Sequence, residues 1–414
     1  MNPLKQETKD LNSYFFSFEE MYPTPYPADA SPYTKCRVIL LNGLEFESNC
    51  FQHQLARHTC DNNINREIAV IRKQEQMQQK RISCLKPIDE SILETTISYE
   101  QLAIDLTATL AQNEKSKNNI EALNFALLED FDHLYRFSNL YLMDQGKNAE
   151  TLVGKFTEIM PARPTLAHHR YPMDEVKKHM NGKTADLYSK LSANIITAAE
   201  QQTMNFYMNI AQWYKNDLGR QLFAEIGMVE EEHVTQYESL KDPSMTFLEM
   251  FVMHEYTECY LYYSCMEEEK NENLKKIWQQ HYEMECAHLK KACEMLEKYE
   301  GTSHTKVIGN GEFPTLLKLG TNKEYIRSVI ERTTTLTANR ESYKDVCSLR
   351  PNVDFFKIQN TLIPNEDDVA SHRVVKEVIA KYGKDYRYQD SKSPLKELTN
   401  RKVDNVTLGR TCSK

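Results

Sequence analysis

The sequence predicts an all-α protein: two tandem four-helix bundles, then further helices and a polar tail. Three observations predict it. Glycine is scarce, 12 in 414 residues, and few Gly or Pro interrupt residues 92–300. That stretch is rich in Glu, Lys, Leu, Ala, Met and Gln, with apolar residues at helical spacing. Finally, carboxylates recur along the chain at fixed separations set out below.

The elements follow in order. Residues 1–37 contain the proline- and tyrosine-rich run YPTPYPADASPY and read as an extended segment. Helices are predicted near 38–58, 63–82, 95–113 and 117–144, making a first bundle over 38–145. A loop-rich connector at 146–183 contains MPARPTLAHHRYPMDE. Helices near 184–216, 218–240, 246–270 and 272–299 make a second bundle over 184–300. Residues 301–414 hold two more predicted helices, 322–346 and 366–382. From 383 the tail carries eight Lys/Arg against four Asp/Glu, and reads as an arm or a disordered segment.

Composition excludes several classes. No run of 18 apolar residues is present, so no membrane span is expected. The first residues, MNPLKQETKDLNSYFF, lack a basic run followed by an apolar stretch, so a cytoplasmic protein is expected. A net charge of −9 argues against nucleic-acid binding through a basic face. None of the ten cysteines is spaced Cys-x-x-Cys, which excludes a zinc ribbon, a rubredoxin-type iron knuckle and a thioredoxin motif. Most of these thiols are expected to be free and buried.

The chemistry lies in the acids. An acid followed three residues later by His occurs at Asp130/His133, Glu230/His233 and Glu285/His288. With 60 acids and 12 histidines such pairs arise by chance, so the spacing between them matters more. Glu45 to Glu75, Glu100 to Asp130, Glu200 to Glu230 and Glu255 to Glu285 are each separated by 30 residues. A shift of 155 carries Glu45, Glu75, Glu100 and Asp130 onto Glu200, Glu230, Glu255 and Glu285. This reads as an internal duplication of a four-helix unit.

Thirty residues is half a helix, a short loop and half a helix back, so each carboxylate pair sits at one level of a hairpin. Residues i and i+3 share a helix face, so Glu230 and His233 point the same way. Two hairpins bring four carboxylates and two imidazoles into one layer. Four buried anions require cations. Two Fe ions, or Fe and Mn, suit that mixed oxygen and nitrogen set. No haem or nucleotide is expected.

At these residues the chain resembles rubrerythrins, within the ferritin-like di-iron carboxylate superfamily. The resemblance covers roughly 190–300. AAEQQTMNFYMNIAQWY is similar to the family's first helix and FAEIGMVEEEHVTQYESL to its second; HEYTECYLYYSCMEEE is similar to the third and HYEMECAHLKKACEML to the fourth. The resemblance implies the metal ligands Glu200, Glu230, His233, Glu255, Glu285 and His288, with Glu258 as a carboxylate that swings onto the metal. The first unit offers a second set: Glu45, Glu75, Glu100, Asp130 and His133. There Gln78 replaces the remaining His, which suggests a degenerate, mononuclear or altered site. The short step from Glu230 to Glu255 leaves the helix order open: up-down-up-down, hairpins pairing across the duplication, or pairing between subunits. Because the chain has no Cys-x-x-Cys, a rubredoxin-type donor would be a separate protein.

Other residues have competing readings. Tyr207, Tyr237 and Tyr262 stand seven residues after expected ligands, on the same helix faces, and are expected to hydrogen-bond near them. His281, one turn before Glu285, is expected to act similarly. In the first unit those positions are Gln52, Ile82, Thr107 and Phe137. His168 and His169 read as surface residues, with capping of a metal channel as the alternative; His53 and His58, beyond Glu45 on its helix, read as surface residues or as supports behind the ligands. Cys259 and Cys286 read as core thiols. On an ideal helix Glu231 and Glu232 point 100° and 200° away from Glu230 and read as solvated.

The expected function is an oxidoreductase that reduces peroxide or O₂ at a carboxylate-bridged dinuclear centre. Tyr207 or Glu258 would manage protons and ligand exchange, with a separate electron donor and a homo-oligomeric assembly. A substrate oxidase or oxygenase is the first alternative. A ferroxidase or storage protein, or a non-catalytic bundle, is the second.

Overall fold

In the computed structural model residues 1–403 are described. The chain is mostly helical. α1 (Pro32–Arg57), α2 (Asn62–Ser83), α3 (Ile92–Asn113) and α4 (Lys117–Gln145) precede the connector. α5 (Leu187–Ala211), α6 (Asp217–Glu238), α7 (Phe247–Glu268) and α8 (Glu272–Glu300) follow it. Then come α9 (Thr305–Ile308), α10 (Lys323–Thr333), β1 (Leu336–Asn339), β2 (Ser342–Asp345), α11 (Asp354–Leu362) and α12 (Ala370–Tyr382).

The helix ends follow local chemistry, and they repeat. Ser91 and Glu94 form a reciprocal capping box at α3, as Thr246 and Glu249 do at α7. Asp61 and Asn216 accept backbone N–H groups at the starts of α2 and α6; Ser116 and Asn271 do so for α4 and α8. α4 and α8 stop at Gly146 (φ 65°) and Gly301 (φ 62°), in the left-handed conformation that glycine adopts without a Cβ penalty. Each of these pairs is 155 residues apart, so the spacing of the carboxylates extends to the caps.

The described chain forms two compact units that differ from the contiguous bundles expected over 38–145 and 184–300. The first comprises Met1–Glu90, His179–Ala199 and Lys241–Lys318; the second comprises Ser91–Lys178, Glu200–Leu240 and the described residues from Leu319. In the first unit α1 packs on α2, α2 on α8, α8 on α7 and α7 on α1, closing a ring of four helices. Leu41, Ile68, Ile71, Leu261 and Leu289 are fully buried in this unit, each worth about 1.5–3 kcal/mol. In the second unit α3 packs on α4 and α4 on α6, while α10 and α12 pack on α4 and α12 also on α6. The 155-residue shift pairs the halves of the sequence without saying which hairpins meet. Every hairpin shows one carboxylate pair at the same level, so burial of the apolar faces makes that choice.

Other boundaries also differ. The first helix begins at Pro32, whose fixed φ suits the first helical position, so the N-terminal segment is shorter than 1–37. That segment contains 3-10 turns at Pro3–Lys5 and Leu11–Ser13. The helix expected over 322–346 ends at Thr333, where three threonines follow one another. Thr333 and Thr334 hydroxyls donate back to the Val329 and Ile330 carbonyls, and β-branching disfavours continuation. An antiparallel hairpin follows, pairing Leu336 with Asp345 and Asn339 with Ser342. α11 was not expected. The helix expected from 366 begins at Ala370, after a 3-10 turn. Residues 404–414 of the expected tail lie outside the described residues.

Candidate metal centres

Each unit gathers six of the expected ligand residues. In the first, α1 supplies Glu45, α2 Glu75, α7 Glu255 and Glu258, and α8 Glu285 and His288. Ligand atoms of Glu75, Glu255, Glu285 and His288 lie within 4.8 Å of one another, as do those of Glu45, Glu75 and Glu258. In the second unit, α3 supplies Glu100, α4 Asp130 and His133, α5 Glu200, and α6 Glu230 and His233. Here the close groups are Glu100, Asp130, His133 and Glu230, and Asp130, Glu200, Glu230 and His233. The sequence-based grouping is therefore corrected. Glu200, Glu230 and His233 do not join Glu255, Glu285 and His288. Each centre draws one hairpin from each half of the repeat.

The geometry is that of facing ligands. His288 Nδ1 lies 3.0 Å from Glu285 Oε2, 3.1 Å from Glu75 Oε1 and 3.7 Å from Glu255 Oε2. In the Asp130/Glu230 centre, Glu230 lies between two imidazoles: Oε1 is 3.0 Å from His133 Nδ1 and Oε2 is 3.0 Å from His233 Nδ1. His233 Nδ1 is 3.3 Å from Asp130 and 3.7 Å from Glu200. The i, i+3 spacing thus aims both Nδ1 atoms of this centre at one carboxylate.

The electrostatics call for cations. Both carboxylate oxygens of Glu255, Glu258, Asp130 and Glu200 are buried without a hydrogen bond among the described residues. Burial pushes Glu45 and Glu258 well above the usual carboxylate range, and the charges of Glu75 and Glu285 push further. Burial does the same to Glu100 and Asp130, with Glu230 and Glu200 adding their charges. Burial also raises Glu200, to about 7. Glu230 goes the other way: burial would raise it, but His133 and His233 outweigh that and bring it to about 2. Buried, unsatisfied oxygens converging with imidazole nitrogens fit a divalent metal better than they fit any packing role. Each centre thus contains two overlapping groups of side chains that could hold a metal ion.

The surrounding residues are partly as expected. The Tyr207 hydroxyl donates to Glu100 Oε1 at 2.6 Å, and that of Tyr262 donates to Glu45. Tyr237 lies beside His233, but its hydroxyl makes no hydrogen bond among the described residues. His281 reaches the first unit's centre through Tyr262, with Nδ1 3.0 Å from that hydroxyl. His53 and His58 are exposed. Cys259 and Cys286 are buried free thiols.

Two readings are overturned. His168 and His169 are buried, not on the surface. His168 Nε2 is 2.7 Å from the Arg163 carbonyl and its Nδ1 is 3.3 Å from His133 Nε2, because the connector folds over α4. Glu232 is also buried, 3.0 Å from Arg170; the same connector covers it, and only Glu231 of the pair is exposed.

One functional residue was missed. Glu129 Oε2 lies 2.7 Å from His233 Nε2, and Arg163 and Arg170 each lie 3.0 Å from Glu129 Oε1. Burial would raise Glu129, but Arg170 and Arg163 hold it well below the usual range. Its counterpart in the other unit is Gln74, whose Oε1 is 2.9 Å from His288 Nε2. The only sequence signal was position: each immediately precedes the α4 or α2 carboxylate.

No family model, curated protein or solved structure matches the chain. Among the described residues no helix is long and apolar enough to cross a membrane.

Proposed function

We propose that the chain is a non-haem di-iron, or Fe/Mn, oxidoreductase that reduces peroxide or O₂ at a carboxylate-bridged dinuclear centre. One observation carries this reading: in the Asp130/Glu230 centre, four buried carboxylates and two i, i+3 imidazoles from two helix pairs meet in one layer. That donor set is the one expected of di-iron carboxylate bundles, and it agrees with the rubrerythrin resemblance of the sequence. His133, His233, Asp130, Glu230, Glu100 and Glu200 would hold two ions there.

When bound, two such ions supply the two electrons that convert H₂O₂ and two protons to two waters, and a separate donor restores them. The chain's own groups order that site. Burial, with the Glu100 charge beside it, keeps the Tyr207 phenol protonated far above its ordinary range. Tyr207 therefore holds a proton at its hydroxyl, next to Glu100. Phe137, Phe223 and Tyr99 surround the Tyr207 ring and keep bulk water away. In the Glu75/Glu285 centre Glu258, whose oxygens make no hydrogen bond among the described residues, would be a carboxylate able to change partners.

The test is metal analysis of the purified chain with a peroxide-consumption assay. Stoichiometric Fe or Mn together with reductant-dependent peroxide loss is expected. Less than about one equivalent of metal per chain would sink the reading. Iron uptake into a mineral core without peroxide turnover would replace it with storage.

A further inference from the structure

Resting on the metal reading above, we propose that the two centres are tuned to different ions. The Glu75/Glu285 centre is an oxygen-rich site biased toward Mn²⁺, and the Asp130/Glu230 centre is an imidazole-richer site biased toward Fe²⁺.

The donor sets differ at three equivalent places. The first is the residue three after the α2 or α4 carboxylate. In the Asp130/Glu230 centre this is His133, with Nδ1 on Glu230. In the other it is Gln78, whose amide nitrogen donates to Glu285 Oε1 and whose carbonyl oxygen is buried without a hydrogen bond among the described residues. Gln78 thus has an oxygen to offer and no nitrogen lone pair. The second place is the turn after Glu255 or Glu200. Glu258 stands there in the Glu75/Glu285 centre, fully buried with both oxygens unsatisfied. Thr203 is its counterpart, 55 residues earlier, as Glu200 is of Glu255.

The third place is behind the remaining imidazole. His233 Nε2 faces the anionic Glu129, clamped by Arg163 and Arg170. His288 Nε2 faces the neutral amide of Gln74 at 2.9 Å. An anion behind an imidazole makes it a more basic ligand. The inventory is therefore five carboxylates, an amide oxygen and one plain imidazole against four carboxylates and two imidazoles, one of them strengthened. Oxygen donors suit Mn²⁺, whereas imidazole favours Fe²⁺ over Mn²⁺ more steeply.

The experiment is competitive loading of the metal-free, full-length chain with equal excesses of Fe²⁺ and Mn²⁺ under anaerobic conditions. Bound metals are read by elemental analysis and Mn²⁺ by its EPR signal. Glu100→Gln with Glu230→Gln disables one centre; Glu45→Gln with Glu285→Gln disables the other. The first variant should retain metal with a several-fold lower Fe:Mn ratio than the second. In the otherwise unaltered chain, Gln78→His should raise the Fe share of the total, which keeps the test decisive if a double variant misfolds. Equal ratios in the two variants, or a ratio unmoved by Gln78→His, would overturn the tuning while leaving the metal reading intact. Near-zero metal in the unaltered chain would sink the metal reading and this inference together.

Discussion

Glu200→Gln should stabilise the metal-free protein at alkaline pH while removing metal. Glu200 is buried with both oxygens lacking hydrogen bonds among the described residues. Burial raises its carboxyl from the ordinary 4.5 to about 7; the adjacent Glu230 adds to the rise and His233 offsets part of it. A carboxyl raised in this way is favoured in its neutral form by the folded chain. Its contribution is fully present below 4.5 and is lost as pH rises through about 7. The difference between those values corresponds to about 3 kcal/mol. Glutamine keeps the shape and is neutral at every pH, so the variant escapes that loss. Urea unfolding followed by circular dichroism, with a chelator present, measures it. Relative to wild type, the variant should gain about 2.5 kcal/mol more at pH 8 than at pH 5, because a small part of the contribution is already lost by pH 5. Added Fe²⁺ or Mn²⁺ should then stabilise wild type at pH 8 and not the variant. The same difference between variant and wild type at both pH values would show that Glu200 does not ionise against the fold, and would refute the electrostatic argument for a cation.

Three further outcomes are expected. The double change Glu200→Gln and Glu255→Gln should strip both centres. Glu200→Gln with Glu230→Gln should leave roughly half the metal, because Glu75, Glu255, Glu285 and His288 remain together; equal metal contents would restore the contiguous grouping. Glu129→Gln should weaken metal binding at the Asp130/Glu230 centre roughly 10–100-fold in an anaerobic titration, and an unchanged affinity would make Glu129 a purely structural anion. Tyr207→Phe should leave metal content intact and lower peroxide reduction on the order of 10²-fold; full turnover would remove Tyr207 from proton handling.

Much of the local structure was legible because helices are specified by short-range chemistry. The caps at Asp61, Ser91, Ser116, Asn216, Thr246 and Asn271 and the stops at Gly146 and Gly301 are side-chain and φ preferences visible residue by residue. The ligands were legible for the same reason: i, i+3 fixes a face and 30 residues fixes a level. Beyond Thr333 the expected helix gives way to a hairpin, and the three consecutive threonines there carry the local signal for its end.

What the sequence by itself determined is which carboxylates and imidazoles share a helix face and at what height along their helices. What only the tertiary structure decided is which helices share a core. Glu45 meets Glu258, and Glu100 meets Glu230; repeated hairpins present equivalent faces, and a one-dimensional spacing cannot choose among them. Burial of complementary apolar surface makes that choice. The same step covers Glu129, His168 and Glu232 with the connector and turns charges that look solvated on a helical wheel into buried partners of Arg163 and Arg170. The acidic run at 230–232 shows both contributions. Helix geometry selected Glu230 as the ligand, whereas the fold alone buried Glu232 and left Glu231 in solvent.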